Sequence, residues 1–186
     1  MRKKIILFIS VLFFGFISFL AINRFFFDIK EWWIMKENII WSKKTELKWN
    51  DFIYDESKTL TDNIQANIGI SARYRIDDKI YYKTKTAFVP EKSFVNDTTN
   101  PISLRIANTR FDLCEVYRRK LEYKIDSLRK TNIKNIDLAY LEKQSILYTN
   151  YFSEEWNEFL KIPKENLIPE LEKLENKIRT QLNNNK

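Results

Sequence analysis

Residues 66–89 carry the clearest pattern in the chain, an alternation of apolar and polar positions. From Ile68 to Ile76 every second side chain is apolar, and the positions between them are small or basic. A period of two is typical of a strand with one buried face. Residues 77–79 predict a turn, and a second strand is expected from Ile80 to Val89, where Pro90 ends it. The pattern therefore predicts an antiparallel hairpin with one polar face.

After Pro101 the apolar spacing changes to that of a helix. One face collects the apolar side chains Leu104, Ile106, Leu113, Tyr117, Leu121, Ile125 and Leu128. Asn100 is the expected cap of this helix. A second helix is predicted over about 135–160, and a third over 167–182 after the break at Pro163. With a short strand at 38–42, the fold class is α+β, a small antiparallel sheet followed by helices.

The N-terminus combines basic residues with a long apolar run. Residues 2–4 are basic and precede an uncharged stretch over residues 5–22. This stretch reaches the lower end of the length that spans a bilayer, and the basic cluster should stay in the cytoplasm. Since no small-residue cleavage pattern follows, we expect a transmembrane signal anchor over 5–27, with a cleaved signal peptide as the alternative. Trp32 and Trp33 are expected at the outer interface, or packed into the domain.

The anchor implies an order of segments along the chain. Residues 1–4 form the cytoplasmic N-terminus, and 5–27 cross the membrane once. Residues 28–38 connect the anchor to the α+β domain over 39–162. Residues 163–186 form a C-terminal helix and tail.

Charge and composition exclude several classes of function. The net charge of +7 lies mostly in the first 24 residues, so we expect no nucleic-acid partner. The basic hairpin face is interpreted as solvated, with anionic polymer or lipid headgroups as the alternative; it consists of Arg73, Arg75, Lys79, Lys83 and Lys85. Cys114 lies at an apolar helical position and is predicted to be a small core residue. Glycine occurs only at Gly15 and Gly69, which excludes a glycine-rich phosphate loop.

Several markers follow one another in an order that resembles a known family. They are Ile40-Trp41-Ser42, Leu47 through Trp49 and Asp51 to Phe52, Ala66 with Gly69-Ile70-Ser71, Phe88 with Ser93-Phe94, and Leu104 followed by Phe111-Asp112-Leu113 and Glu115. Together they resemble the DUF922 group of zinc-protease-like envelope domains. The resemblance implies a zincin-like fold from about residue 39 and a place in the bacterial envelope. The anchor would then lie in the inner membrane, with the C-terminal domain in the periplasm.

This chain lacks the zinc-binding and general-base residues at the centre of the family's signature helix. In the resemblance the first zinc histidine falls on Ile106, the general-base glutamate on Ala107 and the second histidine on Arg110. Histidines four residues apart share a helix face and bind zinc, and the glutamate activates the metal-bound water. The chain contains no histidine at all. The resemblance therefore implies a pseudoenzyme with no catalytic residue, no metal and no cofactor.

Two acids of the same helix remain as candidates for chemistry. Asp112 and Glu115 are three residues apart and are expected on one face. We interpret them as contacts of the arginine pair 118–119, with an oxygen-ligand metal site or an acid–base pair as the alternative. Arg105 and Arg110 are expected to fill the vacated pocket by pairing with Asp112.

The preferred hypothesis is a non-catalytic, membrane-anchored envelope domain that serves as a binding or scaffold module for an envelope protein. One alternative is a hydrolase with a non-standard site at Asp112 and Glu115. The other is an unrelated membrane-anchored assembly factor that binds its partner through the helix over 167–182.

Overall fold

A computed structural model describes residues 15, 18, 25–26, 28–60, 63–130 and 136–184. The chain divides into two compact units, Met1–Glu37 and Asn38–Lys186. In the first unit residues 28–35 are helical, and Trp32 and Trp33 are exposed. The anchor predicted over 5–27 lies largely outside the described residues. Within the part of the chain that is described, no helix is both long and apolar enough to cross a membrane.

The predicted hairpin is confirmed. Strands β4 (Ile68–Ile76) and β5 (Ile80–Phe88) pair antiparallel, with Ile68 opposite Phe88 and Ile76 opposite Ile80. Strand β1 (Ile39–Ile40) adds antiparallel to the other edge of β5, as the short strand predicted there required. The sheet order is β1-β5-β4. The alternation places one set of side chains of β4 and β5 against the helices.

A second small sheet was not predicted. Strands β2 (Ile53–Tyr54), β3 (Ile64–Gln65) and β6 (Phe94–Val95) form it in the order β2-β6-β3. β2 runs parallel to β6, and β3 runs antiparallel to it. Strands of two residues have no period that a sequence pattern can reveal. This sheet brings the segment around residues 64–66 close to the helices.

The three predicted helices are present in the predicted order. Helix α1 is Pro101–Arg129, and the side chain of Asn100 accepts a hydrogen bond from the Ile102 amide at 3.0 Å. Helix α2 is Leu138–Leu160, capped by Asp137, and helix α3 is Leu167–Asn184. The α+β class is therefore confirmed.

Helix α1 packs on the sheet and on both other helices, and it supplies most of the core, while α2 also contacts β4 directly through Tyr74 and Ser145. Its side chains Phe111, Leu113 and Val116 are fully buried. Leu171 and Ile178 of α3 are buried in the same cluster. The helix predicted over 167–182 packs on α1 within the same compact unit as the rest of the domain. The apolar face of α3 is thus occupied within the chain.

Candidate functional site

Glu115 lies at the centre of a buried ion-pair network on α1. Its side chain is only 3% exposed. Arg118 donates from Nε to Oε2 at 2.7 Å and from Nη2 to Oε1 at 2.8 Å, and Arg119 Nε donates to Oε1 at 2.8 Å. The Thr86 hydroxyl on β5 donates to Oε2 at 3.0 Å. The expected contacts of Glu115 with both arginines are confirmed, and both of its oxygens are occupied.

The two arginines extend this network to the rest of the domain. Arg118 also contacts Glu122 and donates to Thr84 Oγ1 at 3.0 Å. Arg119 Nη1 donates to the Leu182 carbonyl near the end of α3 at 2.8 Å. Its guanidinium carbon lies 5.2 Å from the ring centroid of Trp41. A single buried carboxylate therefore connects the sheet, α1, α3 and the segment after β1.

Asp112 lies in a groove of about 670 Å³ between α1, α3 and the segment after β1. Its Oδ1 accepts a hydrogen bond from Trp41 Nε1 at 2.6 Å. Burial raises the pKa of the Asp112 carboxyl above its ordinary value of 3.8. The Trp41 hydrogen bond opposes this shift, and the charges of Glu115 and Glu175 add to it. The groove thus holds a carboxyl whose ionised form is disfavoured.

Arg105 and Glu175 form a two-point ion pair across the same groove. Arg105 Nε donates to Glu175 Oε1 at 2.8 Å, and Nη2 donates to Oε2 at 2.7 Å. Thr109 Oγ1 donates to Glu175 Oε1 at 3.1 Å. The Arg105 hydrogen bonds lower the pKa of Glu175 against the opposing effect of burial. This pair fixes α3 against α1 with the planar fit that favours arginine.

The expected ion pair of Asp112 with Arg105 or Arg110 is wrong. Arg105 pairs with Glu175 instead, and Arg110 Nη1 donates to the Ala66 carbonyl at 2.9 Å. Helical geometry explains this difference. Positions two apart point to nearly opposite sides of a helix, and positions seven apart lie two turns from each other.

The three positions assigned to the zinc site by the resemblance line one cavity. Ile106, Ala107 and Arg110 form its α1 wall, and its volume is about 280 Å³. Their spacing of one and four residues keeps them on one side of the helix. The other walls come from β3 with the segments beside it and from the end of α2: Thr59, Leu60, Ile64, Gln65, Ala66, Trp156 and Leu160.

Arg110 is the one charged side chain lining this cavity among the described residues. Its guanidinium carbon lies 5.8 Å from the ring centroid of Phe152 and 5.6 Å from that of Trp156. Its Nε is buried and has no hydrogen-bond acceptor in the described part of the chain. Burial lowers the pKa of Arg110. The cavity therefore combines apolar walls with a cation that is poorly compensated.

The other residues of the resemblance lie in the fold around α1. Asp51 Oδ2 accepts from the Lys48 amide at 2.7 Å in the short turn that also contains Trp49. Phe52 packs edge to face on Phe88, with ring centroids 4.9 Å apart. Phe111 is buried in the core, and Leu104 lines the groove beside Asp112. The residues that the sequence marks as a single motif are thus divided between the core, the groove and the cavity.

Cys114 lines neither the groove at Asp112 nor the cavity at Arg110. Cys114 is fully buried, as predicted for a small core residue, and burial raises the pKa of its thiol to about 12. Searched over the described residues, the chain has no group of three or more cysteine, aspartate or glutamate side chains placed to hold a metal ion.

Sequence reasoning missed the partners that complete each site. Glu175 on α3 was not singled out, since it stands far along the chain from Arg105 and shares no local spacing with it. Trp156 lies within the helix predicted over about 135–160. Its proximity to Arg110 depends on how α2 packs on α1. A basic residue at a position otherwise facing the core was the one local signal for this cavity.

Comparisons with protein-family models, curated proteins and solved structures give no match for this chain. The resemblance to the DUF922 group therefore rests on the sequence markers alone. The function proposed below depends on the cavity, the groove and the charge network.

Replacing Glu115 with glutamine is expected to lower the free energy of unfolding by about 3–5 kcal/mol, because the largely buried Arg119 loses its paired carboxylate and Arg118 keeps only Glu122 as an acidic partner among the described residues. Urea unfolding followed by circular dichroism measures this change. The matched control is Glu158→Gln, which removes an exposed partner of Lys161 and should cost about 1 kcal/mol or less. Equal losses in the two variants would contradict the central role of Glu115.

Replacing Asp112 with asparagine is expected to remove a contribution to stability that falls as the pH rises. A raised carboxyl pKa means that the folded protein holds the proton more tightly than the unfolded chain, so this group's contribution to stability falls as the pH rises above 3.8. Asparagine can still accept a hydrogen bond from Trp41, and it does not ionise, so its contribution to stability does not fall as the pH rises. Relative to wild type, Asp112→Asn should therefore gain stability between acidic and neutral pH in urea titrations. A relative loss over that range would show that the carboxylate itself is needed.

Proposed function

We propose that this chain is a non-catalytic, membrane-anchored domain of the bacterial cell envelope that binds a partner through the cavity at Ile106, Ala107 and Arg110. One observation carries the proposal. Three residues without metal-ligand or general-base chemistry share a cavity at the positions where the resemblance requires two histidines and a glutamate. A zincin-like domain whose cleft remains but whose lining has changed is suited to binding rather than to hydrolysis.

The contacts of the remaining acids also support a non-catalytic role. A general base must be free to reach a substrate proton or a water. Both oxygens of Glu115 are held by Arg118, Arg119 and Thr86. Asp112 has one oxygen bound to Trp41. The alternative of a hydrolase that uses Asp112 and Glu115 would have to break these contacts.

The alternative of an assembly factor that binds through α3 has less support. Leu171 and Ile178 on its apolar face are buried against α1 in the core of the same chain. The ion pair of Arg105 with Glu175 holds α3 in this position. A partner would have to displace α3 before it could reach that face.

The proposal places residues 5–27 in the inner membrane and the domain in the periplasm. The basic residues 2–4 followed by an uncharged run support this topology. Trp32 and Trp33 are exposed in the N-terminal unit, which suits side chains that meet a membrane interface.

A photoreactive amino acid in place of Leu160 is expected to form a covalent adduct with an envelope component in cells, because Leu160 is exposed and lines the cavity. The same amino acid in place of Tyr123, which is exposed on α1 and does not line the cavity, is the matched control. Gel shifts and mass spectrometry identify the adducts. Identical adducts at both positions, no adduct at position 160, or casein cleavage by the purified protein with zinc would refute the proposed function.

An alkaline phosphatase reporter fused after Lys186 is expected to be active, because the proposed topology places the C-terminus outside the cytoplasm, where this enzyme folds. Deletion of residues 5–22 should abolish its activity without lowering the amount of fusion protein. A fused β-galactosidase should show the opposite pattern. An active β-galactosidase on the intact chain would contradict the topology.

A further inference from the structure

The cavity at Ile106, Ala107 and Arg110 contains a positive charge with no acidic partner among the described residues. No acidic side chain of the described residues lines it. Arg110 donates one hydrogen bond, from Nη1 to the Ala66 carbonyl at 2.9 Å. Its Nε is buried without an acceptor in the described part of the chain. The other arginines of α1 that face neighbouring elements, Arg105, Arg118 and Arg119, each contact a glutamate.

This difference between Arg110 and the other arginines of α1 points to an anionic ligand at Arg110. Removing a cation from water is costly unless an opposite charge and hydrogen bonds replace the water. The rings of Phe152 and Trp156 compensate part of this cost through cation–π attraction. Neither ring carries a negative charge that could balance the guanidinium, and an anionic ligand in the cavity would supply that charge.

We propose that the cavity binds a monocarboxylate carried on a short apolar stem, with the carboxylate at Arg110. The planar guanidinium matches a carboxylate, and its single charge is balanced by one carboxylate rather than by a phosphate dianion. Leu60, Ile64 and Trp156 supply apolar walls for the stem. A volume of about 280 Å³ lies just below the range of sites for drug-sized molecules, so the ligand is small or is the end of a larger chain.

This inference rests on the proposed function, because it names the chemistry recognised by the same cavity. A free aliphatic acid and the C-terminus of a peptide both present a carboxylate beside an apolar group. Thr59 and Gln65 are the uncharged polar side chains that line the cavity, and they can bind the second carboxylate oxygen or a peptide amide.

The test measures binding of hexanoate to the full-length protein in nanodiscs of zwitterionic lipid. Thermal unfolding and calorimetry report the binding, since a ligand of the folded state raises the unfolding temperature in a saturable way. Hexanamide has the same shape without the charge and should bind about tenfold more weakly or worse. N-acetyl-alanyl-leucine and its C-terminal amide form a second pair, which shows whether a peptide end is accepted as well as a free acid.

Substitutions of Arg110 test whether this side chain causes the preference for hexanoate over hexanamide. Arg110→Met should abolish the difference between hexanoate and hexanamide, and Arg110→Lys should restore it in part. Arg129→Met is the matched control, because Arg129 pairs with Asp126 on the exposed surface of the same helix and should leave hexanoate binding unchanged. Circular dichroism checks folding, and if Arg110→Met does not fold, the Arg110→Lys variant and the two ligand pairs still decide the outcome.

Asp62 lies outside the described residues and provides a further check. If it were the counterion, Asp62→Asn and Arg110→Met would show a coupling free energy in a double-mutant cycle of stability. We expect additive effects, and coupling would overturn the proposal.

Two further results would also overturn it. One is equal binding of hexanoate and hexanamide by the wild type. The other is hexanoate binding that survives in Arg110→Met. Neither result would remove a position-specific adduct at residue 160, so failure of the carboxylate proposal is distinguishable from failure of the proposed function.

Discussion

The burial of Glu115 between two arginines is the interaction on which the rest of the domain depends. A carboxylate with a side chain 3% exposed is tolerated only when nearby cations and donors replace its water. Arg118 and Arg119 meet this requirement, and each then needs further acceptors of its own. Arg118 donates a hydrogen bond to Thr84 on β5, and Arg119 donates one to the Leu182 carbonyl on α3. One buried charge therefore determines where the sheet and α3 meet α1.

The same rule of charge compensation distinguishes the groove at Asp112 from the cavity at Arg110. In the groove, Arg105 is matched by Glu175, and Asp112 is held by Trp41. Arg105 and Asp112 therefore have partners within the chain, and the pair of Arg105 with Glu175 holds α3 against α1. In the cavity, Arg110 has one carbonyl and two rings as neighbours but no acid among the described residues. Volume alone would favour the larger groove as the binding site, whereas charge compensation favours the smaller cavity.

Most of the fold could be predicted from the sequence because its main elements are long enough to show a period. The hairpin over 68–88 and the helix from Pro101 follow from alternation, helical spacing and the Asn100 cap. The second sheet could not be predicted, because strands of two residues carry no period. The pairing of Arg105 with Glu175 depends on tertiary packing. In contrast, the separation of Arg110 from Asp112 follows from helical geometry and was open to prediction.

Different side chains of α1 form the Glu115 network and line the cavity. Glu115, Asp112 and Phe111 make their contacts with the sheet, Trp41 and the core, while Ile106, Ala107 and Arg110 line a separate cavity. Substitutions in the cavity therefore leave the Glu115 network in place. The long side chain of Arg110 reaches the Ala66 carbonyl and the rings of Phe152 and Trp156. The guanidinium has no acidic partner among the described residues, and the proposed preference of the cavity for an anion follows from this imbalance.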